Sequence, residues 1–548
     1  MKKLLSLVRA VARTAVASVV AVALAALPPF APAARAQGDG LKGLAADAEL
    51  VETRTEVPRL LPAAAYEMKD GVVVIELSEY AGYAGLIVAN GGLAPNPESL
   101  FAKKHGFQLK INLSEEESWS ALNSGKIAAS ATTADVLAVY GRQFGVTVPA
   151  QIGFSRGADG IVVRSDIKRI NQLKGKTLAT AQFTEADFFL RYLAQEAGLA
   201  VAMLPDLAAK PDPDKINLVY CADAFGAGDL FLRDLKAGRT RLAGCITWAP
   251  KTTEVVDASE GKATLLTTNR NLLVVADVLL VNKGFAQAHP EVVAGLVDGL
   301  LEGNRQVRDA PDAHAALLEK VFGWEKGEGR GELAKVHLSN LPENFAFFSG
   351  AIDAAGSFGG IYQSAVYAYG AELIKNPADS DRFVDLKALK AAEASGAYAG
   401  QKVAIAPIQT AGGASVEGDP LLTKDIRFFF EPNSATLDQK VQKNLDDLAA
   451  IARLLQVSPG STVLLRGHVD NAMINDFRKQ GGEPFVRQMA LKAMELSKNR
   501  ANEIRRLLVE RHQVDAARLE TVGRGWDEPT SKVSDENRRV EVQWFTIE

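Results

Sequence analysis

From Gly71 onward, short apolar runs that read as strands alternate with longer segments whose apolar residues recur at helical spacing. No other feature of the 548-residue chain restricts its fold as much. The runs include "VVVIEL", "FQLKINL", "KIAASA", "GIVVRS", "KTLATA", "INLVYC", "LAGCITW" and "LLVVADVLLVN". Between them lie helical stretches such as "TADVLAVYGRQF" and "EADFFLRYLAQEAG". Such alternation builds largely parallel sheets covered by helices, an α/β architecture. Residues 37–69 carry no sustained period and read as a linker, and residues 286–395 read as mostly helical. "TAGGASVEGDP", residues 410–420, gathers Gly, Ala and Ser and reads as an interdomain linker before a second unit at 421–548.

The N-terminus reads as an export signal. Lys2, Lys3, Arg9 and Arg13 precede the apolar run Thr14–Leu27, Pro28-Pro29 break it, and Ala34-Arg35-Ala36 offers small residues at a cleavage site. A run of that length is short for a membrane span, so a cleaved signal over 1–36 is expected, and with it a periplasmic protein. Its removal takes the formal charge from -4 to -9, which argues against nucleic acid as a partner. In an oxidising compartment Cys221 and Cys245 either pair, if their strands are neighbours, or remain buried thiols.

Three short matches to enzyme motifs fail on context. Gly153-Phe154-Ser155-Arg156-Gly157 fits G-x-S-x-G, but a β-branched strand follows the serine where a nucleophile elbow needs a helix. Gly175-Lys176-Thr177 has Ile170 where a phosphate loop needs glycine, and Gly226 and Gly228 are followed by Phe231 in place of a third glycine. The six histidines are scattered. No catalytic residue, cofactor or metal site is expected, and the chain is not read as an enzyme.

Several strands end in small and polar residues. Thr132-Thr133, Gln182 to Thr184, Asp223 and Trp248 each stand at such an end, together with Tyr80 and Tyr83 after the first strand. Singly, these residues cap helices. Together they occupy the carboxyl ends of parallel strands, where open α/β sheets bind ligands. On "ELSEYAGYAGLIVANGGL", "GKIAASATTADVLAVY", "INQLKGKTLATAQFTEADFFLRYLAQEAGL" and "AGCITWAPKT", residues 70–398 resemble a periplasmic substrate-binding protein of an ABC importer, of the nitrate/sulfonate/thiamine-precursor type.

That resemblance implies a type II periplasmic-binding-protein fold: two lobes, the second about 166–265, joined by crossings in "GADGIVVRSDI" and "NRNLLVVADVLLVN". It implies a small-molecule ligand held by Tyr80, Tyr83, Thr132, Thr133, Gln182, Thr184, Asp223 and Trp248, and a permease partner. Ser155 is then expected at a hinge or cleft edge. A small polar or anionic ligand is expected from the helix N-termini, whereas Asp135 and Asp223 favour a cationic or amine-bearing one.

Beyond a linker at 399–420, "IRFFFEPNSATLD" reads as a strand entering a helix, and Leu437, Val441, Leu445, Leu448, Ala452 and Leu455 repeat on one helical face. A second helix is expected from about Leu496 to Glu510, with Leu496, Arg500 and Ile504 on one face. Gly467-His468-Val469-Asp470, Leu496-Ser497 with Arg500-Ala501, Gly523-Arg524-Gly525 and Asn537-Arg538-Arg539-Val540-Glu541 resemble the signatures of an α+β OmpA-like peptidoglycan-binding domain. The resemblance implies that Asp470 and Arg500, supported by Arg538, clasp the diaminopimelate of the wall peptide. Val469 and Ala493 depart from the usual Thr and Asn, and the segment from Asp470 to Leu496 is longer than usual. The expected whole is a solute binder tethered to the cell wall, with a wall-linked sensor or scaffold as the alternative.

Overall fold

In chain order the strands are β1 (Val72–Leu77), β2 (Gln108–Leu113), β3 (Ala129–Thr133), β4 (Val146–Ser155), β5 (Asp159–Arg164), β6 (Thr177–Ala181), β7 (Val201–Met203), β8 (Ile216–Cys221), β9 (Gly244–Trp248), β10 (Ala263–Thr268), β11 (Ala276–Asn282), β12 (Val336–Leu338), β13 (Leu422–Ile426), β14 (Thr462–Gly467), β15 (Leu519–Gly523) and β16 (Val540–Phe545). The computed structural model describes residues 50–114, 118–270, 272–351, 356–405, 420–431, 434–458 and 460–545. The expected export signal and most of the 399–420 linker lie outside these residues. Among the described residues no helix is long and apolar enough to cross a membrane.

The strands form three sheets, ordered β12-β4-β11-β3-β1-β2, β10-β5-β9-β6-β8-β7 and β13-β16-β14-β15. In the first, β1 runs parallel to β2 and β3, while β11 pairs antiparallel with β3 and β4. In the second, β6 runs parallel to β8 and β9, and β5 returns antiparallel between β9 and β10. All ten residues of β4 are buried, which suits a strand covered on both faces. Over it, Phe154 meets Phe347 edge-to-face at 5.8 Å. Burial of a side chain of that size stabilises the fold by about 2–3 kcal/mol. The helix carrying Phe347, Leu341–Ser349, is started by a reciprocal cap: Asn340 Oδ1 accepts from the Glu343 amide and Glu343 accepts from the Asn340 amide.

The two lobes are joined where β4 leads into β5 and where β10 leads into β11, so the crossings proper are Arg156–Ala158 and Asn269–Val275. The expected second segment contains its crossing and the expected first segment all of its crossing but Arg156, while "IVVR" and "DVLLVN" belong to the sheets. Asn269 ties one crossing to the other. Its Oδ1 accepts from the Gly157 amide at 2.8 Å, and its Nδ2 donates to Ser155 O at 3.1 Å and Asp159 Oδ2 at 2.9 Å. No helix follows Ser155, so the nucleophile elbow is absent there.

Residues 50–66, within the segment read as a linker, run as an extended strap over both lobes. The Glu52 amide donates to Tyr220 O on the second lobe, while Leu60, Leu61 and Ala64 bond to Gln143, Ser120 and Asn123 on the first. Buried Asn282 holds the strap's end by donating to Ala64 O and accepting from the Tyr66 amide. Lack of periodicity here reflects a chain that satisfies its backbone against other elements.

In the third sheet β14 lies between β16 and β15. A Cβ at Gly467 would stand 2.0 Å from Ser497 O, so only glycine lets the long helix come this close to β14. That helix starts well before the expected Leu496. Helical residues span Ile474–His512, interrupted at Gly481 and Gly482, where Gly482 has φ 64°. Pro484 follows the break, in the first turn of the resumed helix, where a missing amide costs nothing. The extra length folds back, with Phe477 5.9 Å from Phe485 and 6.1 Å from Trp526.

This domain is seated on the second lobe. Asn171 and Thr423 exchange two hydrogen bonds of 2.8 and 2.9 Å, the Ile170 amide donates to Leu421 O, and Arg453 lies 3.9 Å from Glu196. One further bond reaches the second crossing, from the Leu273 amide to Val457 O at 2.6 Å. Cys221 and Cys245 are buried and free. Their strands, β8 and β9, have β6 between them, a separation of about 9–10 Å that no disulfide spans. Burial pushes the Cys221 thiol up to about 12.

Candidate functional site

The carboxyl ends of β1, β3, β6, β8 and β9 converge on a cavity of about 360 Å³ between the two lobes. All eight residues expected to hold a ligand line it: Tyr80, Tyr83, Thr132, Thr133, Gln182, Thr184, Asp223 and Trp248. The aromatic wall is self-braced. Tyr80 and Tyr83 meet edge-to-face at 5.2 Å, and Trp248 lies 5.4 Å from Phe225.

Four of the eight have polar atoms already engaged, Tyr83 among them through its hydroxyl to Asp277. The Gln182 side chain exchanges two 2.8 Å bonds with the Arg54 backbone of the strap, Thr184 donates to Ala181 O, and Asp223 caps the following helix through the Gly226 amide at 2.6 Å. These residues shape the cavity. By contrast Thr132 Oγ1, Thr133 Oγ1 and Trp248 Nε1 have no hydrogen-bond partner among the described residues although they are buried. Buried polar atoms left in this state favour an incoming partner.

The turn bearing Gln182, Phe183 and Thr184 is held from behind. Asp187 accepts from the Phe183 amide and from Arg191 Nε at 2.7 Å, and Arg191 also bonds the Tyr220 hydroxyl. The Tyr369 ring lies 5.0 Å from the guanidinium. Phe183 takes φ 66°, a left-handed conformation that this network stabilises.

Sequence reasoning missed the cleft floor. Asp159, at the start of β5, and Asp277, in β11, are 3% exposed and line the cavity with Ser155. Tyr83 donates to Asp277 Oδ1 at 3.4 Å, while Asp277 Oδ2 has no partner. Burial pushes the Asp159 carboxyl up to about 6. Burial, and then the charge of Asp159, raises Asp277 well above the usual carboxylate range. Asp135 behind them is pushed up to about 7, chiefly by burial. A single Asp inside the apolar run "LLVVADVLLVN" was the available signal. Trp119 and Tyr140, also on the wall, gave none.

In the C-terminal domain the structure brings Asp470, Arg500 and Arg538 together. Arg538 Nε is 3.6 Å from Asp470 Oδ2. Arg500 stacks its guanidinium 4.8 Å from the Phe430 ring and donates to Ser434 O. Burial lowers its pKa, as does the neighbouring charge of Arg538, against the opposing effect of Asp470. Beneath this seat, burial would raise the Glu541 carboxyl, but His468 and Arg466 outweigh it and hold it at about 2. Arg466 donates to both Glu541 and Glu528, so the His468, Glu528 and Glu541 cluster is already supplied with positive charge and is a poor seat for a metal ion.

Two six-stranded α/β lobes, two short crossings and a cavity between them define a two-lobed binding-protein architecture with a separate α+β domain attached. Residues 429–543 match the OmpA family model. Over 124 residues the chain is 29% identical to outer membrane protein Omp38 of Acinetobacter baumannii, a stretch that is 22% of this chain and 30% of that protein. The chain thus spans under a third of the curated relatives it matches. Among solved structures it is similar to the alkanesulfonate-binding protein SsuA of Xanthomonas axonopodis pv. citri bound to MOPS, at 14% identity and TM-score 0.44, covering 58% of this chain and 99% of that one. The aliphatic sulphonate binding protein SsuA of Escherichia coli matches at 15% identity and TM-score 0.43, with the same coverage.

Proposed function

We propose that this protein is a periplasmic solute-binding protein whose two lobes close on a small molecule, and whose C-terminal domain holds it to peptidoglycan. The observation that carries the reading is the inter-lobe cavity at the strand ends, lined by buried polar atoms that have no hydrogen-bond partner among the described residues. Ligand-driven closure about Arg156–Ala158 and Asn269–Val275 needs no bond chemistry. Accordingly the protein binds without turnover, and an ABC permease is the partner that would receive the ligand. The reading of the second module is supported by the grouping of Asp470, Arg500 and Arg538 within the segment that matches the OmpA family. Opposite charges at fixed separation suit a zwitterion such as diaminopimelate, with Arg supplying orientation. The seating of that domain on the second lobe supports a wall-tethered sensor as the second reading.

The test is thermal unfolding of the full chain, refolded to strip carried-over compounds, against amines, amino acids, sugars, sulfonates and phosphate. A ligand at about 100 times its dissociation constant stabilises by roughly 2.7 kcal/mol and leaves unchanged in composition. Turnover of the bound compound would replace this reading with an enzyme, and a flat panel would remove the solute-binding role.

A further inference from the structure

We propose that the cleft takes a small organic cation, with its positively charged nitrogen seated between Asp159, Asp277 and the aromatic faces of Tyr80, Tyr83 and Trp248. This rests on the solute-binding reading and names the ligand's chemical class. The charge inventory of the cavity is the first support. Six carboxylates line it, from Glu52, Glu76, Asp159, Glu185, Asp223 and Asp277, against one cationic side chain, Arg54. Arg54 belongs to the strap at the rim, is more than half exposed, and lies 3.8 Å from Glu52. An anion in this cleft would face a surplus of like charge with no buried cation to meet it.

Helix N-termini supply the second support. An anion seat in a two-lobed protein can be made from free helix amides alone. Here the longer helices that open onto the cavity spend those ends on their own carboxylates. Asp223 caps Ala224–Lys236 by accepting from the Gly226 amide, and Glu185 and Asp187 occupy the first turn of Glu185–Glu196. Asp135 stands likewise in the first turn of Ala134–Tyr140. The positive ends are compensated before any ligand arrives.

Third, the unmet polar atoms of the lining include a carboxylate oxygen at the floor, beside hydroxyls of Tyr80, Thr132, Thr133 and Ser155 that can accept as well as donate. Asp277 is buried at the floor and lines the cavity, with Asp159 and the hydroxyls of Tyr80 and Tyr83 as its neighbours. Ammonium, amidinium or a polarised N-methyl group satisfies it, and the π-faces above favour the same charge. Trp248 Nε1, a donor without a partner, calls for an acceptor at the ligand's other end. The ligand is therefore a nitrogen cation carrying an oxygen or ring-nitrogen acceptor.

The decisive comparison uses wild-type full chain and needs no mutant. Choline, ethanolamine and histamine are titrated by calorimetry and tryptophan fluorescence beside methanesulfonate and inorganic phosphate, with 3,3-dimethylbutan-1-ol as the uncharged isostere of choline. Saturable binding of a cation, at least about tenfold tighter than its uncharged counterpart, is expected. Asp277→Asn then weakens that cation by about 30-fold or more, while Asp446→Asn, at an exposed position of the C-terminal domain, leaves it unchanged. If Asp277→Asn does not fold, the charge preference of the wild type still decides. Binding of methanesulfonate or phosphate, or equal binding of the isostere, overturns the cation assignment and leaves the solute-binding reading standing. Silence across all three charge classes overturns both.

Discussion

Asn269 ties the two crossings between the lobes to each other. It is fully buried, and its amide bonds Gly157 on the first crossing and Ser155 and Asp159 at the two strand ends that flank it. Truncation to Ala strands the Gly157 amide and one Asp159 oxygen, each costing about 1–3 kcal/mol. Asn269→Ala should lower stability by roughly 2–4 kcal/mol in denaturant titration and weaken ligand binding. Asn269→Asp should fare no better, since a second carboxylate would then face Asp159. At the wall seat, Asp470→Ala and Arg500→Ala should each abolish co-sedimentation of the protein with purified sacculi while the unfolding midpoint stays within about 1 °C. Retained sedimentation would mean that the clasp lies elsewhere.

The strap and the interrupted helix set the scale of elements. Asn282 holds the strap end with both faces of its amide, so Asn282→Ala should raise hydrogen exchange at Ala64 and Tyr66 before the sheets are affected. These same two elements show where sequence reading stops. Strand and helix periodicity placed the elements and the strand ends, because buried faces impose spacing on residues, while the two lobes and their crossings came from the family resemblance. A strap has no periodic face, and its order comes from partners such as Gln143 and Asn123 that are remote in sequence. The early start of the 474–512 helix was hidden because its added turns are exposed, with Leu491 and Met494 turned outward. The cleft shows the same division. Residues at strand ends were found by position, whereas Asp159 and Asp277 act through burial, which one sequence does not display.

For the whole molecule, acid should act on the two modules with opposite sign. Asp159 and Asp135 have folded pKa values of about 6 and 7, above their unfolded value. Their stabilising effect is full below about pH 4 and is lost as pH rises through 6 to 7. Glu541, at about 2, behaves in reverse: its contribution is full above about pH 5 and lost as pH falls toward 2. Calorimetry from pH 7.5 to 3 should show the empty two-lobed part gaining stability down to about pH 4. The C-terminal transition should weaken only below about pH 4.5, and Glu541→Gln should flatten that weakening at a cost of about 2 kcal/mol at pH 7. A single transition with one optimum would refute this picture.

The C-terminal domain grips the second lobe through Ile170 and Asn171 and the second crossing through Leu273. A molecule clamped at this domain has a stationary half and a swinging half. Any change of angle between the lobes then appears as travel of the first lobe, outward from whatever surface holds the third sheet. In mechanical terms, a protein so held would have the second lobe as the fixed jaw of a vice and the first lobe as its moving jaw.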